Sequence, residues 1–211
     1  MHELKDITNW ESVRGKLFLR LTNYEKNKTD INEKIHVPFL DLAILIYCDW
    51  KEWGCNGFYV SGKHLLMWKQ DSKNIYQTAL ENTFRKNNTL VTPLMNLLPE
   101  EAVGQIEMGN TITKKEMIVL TNKSISFGAA MLLNTPALKK LADRLGSDLY
   151  LLPSSVHEIL AVCPDQDINA SSLMNMVYEV NNSAVAPEDY LSDSVYYFDR
   201  EKCEVTFAIP A

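Results

Sequence analysis

Ser154, Ser155, His157 and Glu158 fall within five consecutive residues of the stretch "LLPSSVHEIL" (151–160). A hydroxyl, an imidazole and a carboxylate are the working parts of a nucleophilic hydrolase or transferase. Ser155, His157 and Glu158 are therefore the catalytic candidates. Their spacing argues against a triad within the segment itself. In an extended chain Ser155 and His157 share one face and Glu158 takes the other. The strained G-x-S-x-G elbow that presents a serine nucleophile is absent from the sequence. The same four residues, Ser155-Val156-His157-Glu158, also fit S-x-x-E. In that capping box the serine accepts from the N3 amide and the glutamate reaches back to the serine amide. Pro153 would end the strand before it. The expectation is a structural corner, with a hydrolase or transferase site as the alternative.

Other reactive groups are dispersed. His2, His36, His64 and His157 form neither HExxH nor H-x-H. Cys48, Cys55, Cys163 and Cys203 form neither a CxxC pair nor a zinc ribbon. Cys48, Cys55 and His64 are the nearest cluster, without ligand spacing. Neither a metal nor a cofactor is expected. Cys163, before Pro164, is the best-placed thiol nucleophile. The eight glycines are isolated, with no Walker loop and no G-x-G-x-x-G. Glu188, Asp189 and Asp193 bring carboxylates together in a loop, but nothing pairs them as acid and base. Trp50 and Trp53 flank a charged turn. Tyr196 and Tyr197 stand side by side in an expected strand, so one must face away from the core.

The elements that would position these groups follow from periodicity. Val13, Leu17, Leu21 and Tyr24 predict a helix over residues 8–24, capped by Thr8. "FLDLAILIYCDW" (39–50) predicts a buried strand, with "CNGFYVSG" as its hairpin partner across Asn56-Gly57. Residues 63–85 predict two helical pieces, the second capped near Asp71-Ser72. A short helix is expected between Pro93 and Pro99. "KEMIVLTN" and "SFGAAMLL" predict two strands. "TPALKKLADRL" predicts a helix capped by Thr135, with Pro136 at its start and Gly146 past its end. "DLYLLP" and "EILAVC" predict strands, "NASSLMNMVYEVNN" a helix, and "SVYYFDR" with "CEVTFAI" a closing hairpin. Short connections between strands imply antiparallel pairing. The fold expected is α+β, a mostly antiparallel sheet built from strand-strand-helix units with helices packed on it. It forms one domain over 1–211, or two closely packed lobes meeting near 100–114.

Net charge is −6 over 211 residues. Residues 1–105 carry 13 basic and 13 acidic side chains, whereas residues 106–211 carry 8 basic and 14 acidic. A nucleic-acid reader needs the opposite sign over its footprint, so direct nucleic-acid binding is not expected. The longest apolar run, "LAILIYC", is far short of a membrane span. The amino terminus shows no secretory pattern, which implies a cytoplasmic protein. The acidic third suits a basic protein partner, still unidentified. Glu188, Asp189, Asp193, Tyr196 and Tyr197 are its candidate contacts.

Several phrases together resemble an uncharacterised gut-clostridial (Firmicutes) family catalogued as domain of unknown function 5688. They are "RLTNYEKN", "FLDLAILIYC", "ALENT", "VLTN", "GAAMLL", "LGSDLYLLPSSVHEIL" and "VNNSAVAPEDYLSDSVYYFDRE", spread from about residue 17 to 201. The resemblance implies a bacterial or phage-borne cytoplasmic protein, with an accessory role such as inhibition of a nucleic-acid-handling defence enzyme. It implies either a short family member or the C-terminal domain of a longer one. It carries no reaction, cofactor or catalytic residue. The function expected is a non-enzymatic protein-binding module with an acidic C-terminal surface.

Overall fold

A computed structural model of the chain describes residues 6–51, 56–85, 88–97, 112–165 and 168–209. The chain divides into two compact units, Met1–Lys86 and Asn87–Ala211. The junction expected near 100–114 lies largely outside the described residues, as do His2, Trp53, Cys55 and Pro99.

In the first unit Asn9 caps a single helical turn, α1 (Trp10–Val13), by accepting from the Glu11 amide. A 3-10 turn over Arg14–Lys16 follows, then strand β1 (Leu17–Asn23). The helix expected over 8–24 is therefore mostly a strand. Leu17 and Leu21 satisfy a helical period and an alternating one equally. Leu19 fits only the alternation, and Leu17, Leu19, Leu21 and Asn23 are the buried side of the strand. After the short turn α2 (Lys28–Ile31) come β2 (His36–Phe39) and β3 (Leu42–Cys48). β3 is the expected buried strand, with all seven residues buried. It is central in the sheet, pairing antiparallel with β1 and β2 and, at its end, with β4 (Phe58–Tyr59).

Two helices complete the unit, α3 (Gly62–Trp68) and α4 (Ser72–Thr83). Asp71 caps α4 by accepting from the Asn74 amide at 2.7 Å, as expected from sequence. The end of α4 is tied to the start of β1 by two buried polar side chains. Asn82 Nδ2 donates to the carbonyls of Arg14 (2.6 Å) and Leu17 (3.0 Å), and Arg85 donates to Asn82 Oδ1. Thr83 Oγ1 accepts from the Leu19 amide and donates to the Ala79 carbonyl.

The second unit is a six-stranded antiparallel sheet in the order β10-β9-β7-β8-β6-β5. Its strands are β5 (Thr89–Pro93), β6 (Ile118–Asn122), β7 (Leu149–Leu152), β8 (Ile159–Val162), β9 (Tyr196–Asp199) and β10 (Glu204–Phe207). β5 was not expected. It forms one edge of the sheet, where Pro93 is tolerated because a missing amide costs no ladder bond. The helix expected beyond Pro93 is a 3-10 turn, Leu94–Leu97.

"SFGAAMLL" is not a strand but a 3-10 run over Gly128–Leu133, with Gly128 to Leu132 all buried. A wholly buried run of small and apolar residues carries no period, so composition alone does not separate the two forms. Helix α5 (Thr135–Leu145) is capped by Asn134, whose side chain accepts from the Ala137 amide. Thr135 is thus one residue past the cap. Gly146 ends the helix in the left-handed region at φ +59°, where a glycine is favoured. Helix α6 (Ala170–Ser183) buries Leu173 and Val177 against Leu152, Val162 and Val195 on one face of the sheet. α5 lies on the other face, its Ala137 and Leu141 beside Thr89 and Val91. The α+β class holds, with antiparallel sheets and helices packed alongside them. The strand-strand-helix succession is present as β5-β6-α5 and β7-β8-α6 before the β9-β10 hairpin, although the second strand of its first pair is not "SFGAAMLL", which is a 3-10 run.

Candidate functional site

Residues 153–158 form the corner between β7 and β8, which pair as neighbours. No helix begins there, so the capping box expected at Ser155 does not form. Ser155 instead makes an isolated antiparallel bridge with Tyr190. The segment 189–192 lies alongside the corner. The Val156 amide donates to the Asp189 carbonyl at 2.8 Å, Leu191 to Ser154 at 3.0 Å, and Ser192 to Pro153 at 3.0 Å. On its other side the corner meets the 3-10 run. The carbonyl of His157 accepts from the Gly128 amide at 2.9 Å and from Thr121 Oγ1 at 2.7 Å, and the Ala129 amide donates to Val156. A Cβ at residue 128 would collide with Thr121 Oγ1 and the His157 carbonyl oxygen, so the contact requires glycine.

The candidate side chains complete this web. His157 Nδ1 lies 3.2 Å from the Phe127 amide and must accept from it. That leaves the proton on Nε2, which donates to Asp189 Oδ1 at 3.0 Å. The imidazole also packs against the Phe127 ring, whose backbone is held in the left-handed region at φ +52°. Ser155 is buried. Its hydroxyl accepts from the His157 amide at 3.0 Å and hydrogen-bonds the Glu158 carboxyl. Burial pushes the Glu158 carboxyl above the ordinary glutamate range, against the lowering effects of His157 and of the Ser155 hydrogen bond. The structure does bring Ser155, His157, Glu158 and Asp189 together. It does not direct an imidazole nitrogen at the serine, because both ring nitrogens are already engaged.

The five residues named as partner contacts fall in different environments. Glu188 is exposed. Asp189 belongs to the corner. Asp193 accepts from Asn181 Nδ2 at 2.7 Å, and the same amide nitrogen donates to the Ser192 carbonyl at 2.9 Å. Tyr196 is fully buried on the core side of β9, so it is no surface contact. Tyr197 takes the opposite face. Its hydroxyl donates to Asp148 Oδ2 at 2.6 Å, a bond that is the main reason its phenol is pushed up to about 12.

A surface that sequence reasoning missed lies on α6. Met176, Tyr178 and Val180 are 45%, 59% and 41% exposed. The signal was present in "LMNMVYEV": Leu173, Met174 and Val177 supply the stripe packed on the sheet, so Met176, Tyr178 and Val180 fall outside it.

The family model of the Family of unknown function (DUF5688) matches residues 1–200. The chain belongs to this family. Neither the curated proteins nor the solved structures give a match. The DUF5688 match takes in the corner, α6 and the acidic segment after it.

The remaining reactive residues of this DUF5688 chain are housed without a visible task. Cys163 is buried at the end of β8, and burial pushes its thiol up, away from the thiolate a nucleophile needs. Cys48 is buried in β3. His64 accepts from the Ser61 amide at the start of α3, and burial lowers its pKa. Among the described residues no group of three His, Cys, Asp or Glu is placed to hold a metal ion. No described helix is long and apolar enough to cross a membrane.

Proposed function

We propose that this DUF5688 chain is a non-enzymatic protein-binding module. Its contact surface is the exposed side of α6, from Met176 and Val180 on one flank to Tyr178 on the other, together with the acidic segment that follows. The observation that carries the reading is the exposure of Met176, Tyr178 and Val180 on a helix that already has a full buried stripe. Exposed apolar side chains grouped on one element and rimmed by polar groups mark interaction surfaces. The Asn181 amide joins this helix to Ser192 and Asp193, so Tyr178, three residues before Asn181 on the helix, borders the acidic loop. Glu179 and Glu188 are exposed along the same stretch. The partner that complements such a surface is a basic amphipathic segment of another protein. An enzyme with a basic nucleic-acid channel presents one, which makes inhibition of such an enzyme in a bacterial cytoplasm the specific form of the proposal. The hydrolase or transferase alternative has less support, because its working groups hydrogen-bond one another and the backbone.

The test uses the full chain as bait in nuclease-treated bacterial lysate, in three forms: wild type, Met176→Glu/Tyr178→Glu, and Glu188→Lys/Asp193→Lys. The expected result is a stoichiometric partner lost by both variants at unchanged unfolding midpoints, with cross-links mapping to a basic segment of that partner. Capture that survives both sets of substitutions, or cross-links to an acidic segment, overturns the reading.

A further inference from the structure

The second unit has a cavity of about 520 Å³ between α5 and the edge strand β5. That volume lies in the range of small-molecule sites, roughly 300–1,000 Å³. Its apolar walls include Val91, Ile112, Pro136 and Leu141, and its cationic side is formed by Lys140 and Arg144. The two cations are four residues apart on α5, so they project from one side of the helix within reach of a single anionic group.

The charge around the cavity runs against that of its surroundings. Residues 106–211 carry 8 basic side chains against 14 acidic ones. Five of those eight, Lys114, Lys115, Lys139, Lys140 and Arg144, lie on α5 or in the segment 114–115. Lys139 is paired with Asp143, and Lys114 donates to the Gly146 carbonyl. Lys140 and Arg144 instead line the cavity, and among the described residues no carboxylate lines it. A half-open apolar cavity with cations on one side is the complement of an apolar body bearing an anionic end.

We infer that this cavity binds a small amphipathic carboxylate, its hydrocarbon part against Val91, Ile112 and Leu141 and its carboxylate on Lys140 and Arg144. The site shares no residue with the corner or with the outer face of α6 and does not depend on the function proposed for them. Decanoate is the probe, with binding to the full chain measured by calorimetry. Decanol and dodecyltrimethylammonium serve as neutral and cationic controls. Decanoate is expected to bind saturably and more tightly than decanol. Lys140→Glu/Arg144→Glu should weaken it by about tenfold or more, the loss expected when charge-assisted hydrogen bonds are removed. The same variant should favour dodecyltrimethylammonium, and its circular dichroism should be unchanged. Met176→Glu/Tyr178→Glu should leave decanoate binding intact. Absence of saturable decanoate binding overturns the inference. So does equal binding of decanoate and decanol, or loss of decanoate binding in the α6 variant. If the charge-reversed chain misfolds, Lys140→Gln/Arg144→Gln supplies the same comparison.

Discussion

Among the described residues each unit holds a polar knot at a sheet end, and the two are built from different residues that make the same kind of bond. In the first unit Asn82 and Thr83, at the end of a helix, satisfy the carbonyls of Arg14 and Leu17 and the amide of Leu19. In the second, Ser155 and His157, in a corner between strands, satisfy the amides of His157 and Phe127, and Asp189 holds the imidazole. Both knots supply partners to backbone groups that the sheets leave without one. Asn82 and Thr83 pass unnoticed in a sequence because amides and hydroxyls are common helix-end residues. Ser155, His157 and Glu158 attract notice because the same side chains perform catalysis elsewhere. The comparison teaches that residue type does not distinguish a catalytic cluster from a structural one. What distinguishes them is whether a reactive atom is left free to face a substrate.

Substitutions test how far this equivalence goes. The largest effect is expected at Gly128→Ala, whose added Cβ meets Thr121 Oγ1 and the His157 carbonyl. It should destabilise the second unit by about 3 kcal/mol or more, measured by chemical denaturation. Asn82→Ala removes the side-chain donor to the buried Leu17 carbonyl and to the part-buried Arg14 carbonyl, and should cost about 1–3 kcal/mol. His157→Ala removes the acceptor of one amide and the partner of Asp189, and should cost about 1–3 kcal/mol. A His157→Ala chain with wild-type stability would break the equivalence and return that residue to the catalytic candidates.

The smallest effect is pH-dependent and belongs to the second knot. Because burial raises the Glu158 pKa, the folded chain keeps that proton to higher pH than the unfolded chain. Its contribution to stability is full below the ordinary glutamate range and declines as pH rises through the folded value. Glu158→Gln should therefore gain stability relative to wild type between about pH 4 and pH 7, seen as diverging denaturation midpoints. Parallel midpoints would show that the carboxyl is not desolvated.

Sequence reasoning reached those elements in which one period or one cap dominated. β3 was legible as a bounded apolar run, α4 from Asp71, α5 from Pro136 and Gly146, and β9–β10 from two strand-forming runs around a polar turn. β1 was misread because Leu17 and Leu21 satisfy two periods, and Leu19, which fits only the alternating one, is the single residue that separates them. The run 128–133 was misread because burial on every side erases periodicity. At the site, the capping box expected at Ser155 does not form, and the corner is held together in another way. Its bonds come from residues 121, 127–128 and 189, which no local motif connects to Ser155. The apolar excess on α6 was readable from the spacing of Leu173 and Val177, but the stretch predicted only a helix.

The cysteines give each unit its own clock. Cys48 is buried in the central strand of the first unit and Cys163 at the end of β8 in the second, while Cys203 is exposed on the β9–β10 turn. A buried thiol reacts with an alkylating reagent only when its surroundings open, so its modification rate reports the local opening free energy. Cys203 labels at once and sets the zero of the experiment. With Cys55 replaced by serine, the later labelling of Cys48 and of Cys163 then times the opening of the two halves independently.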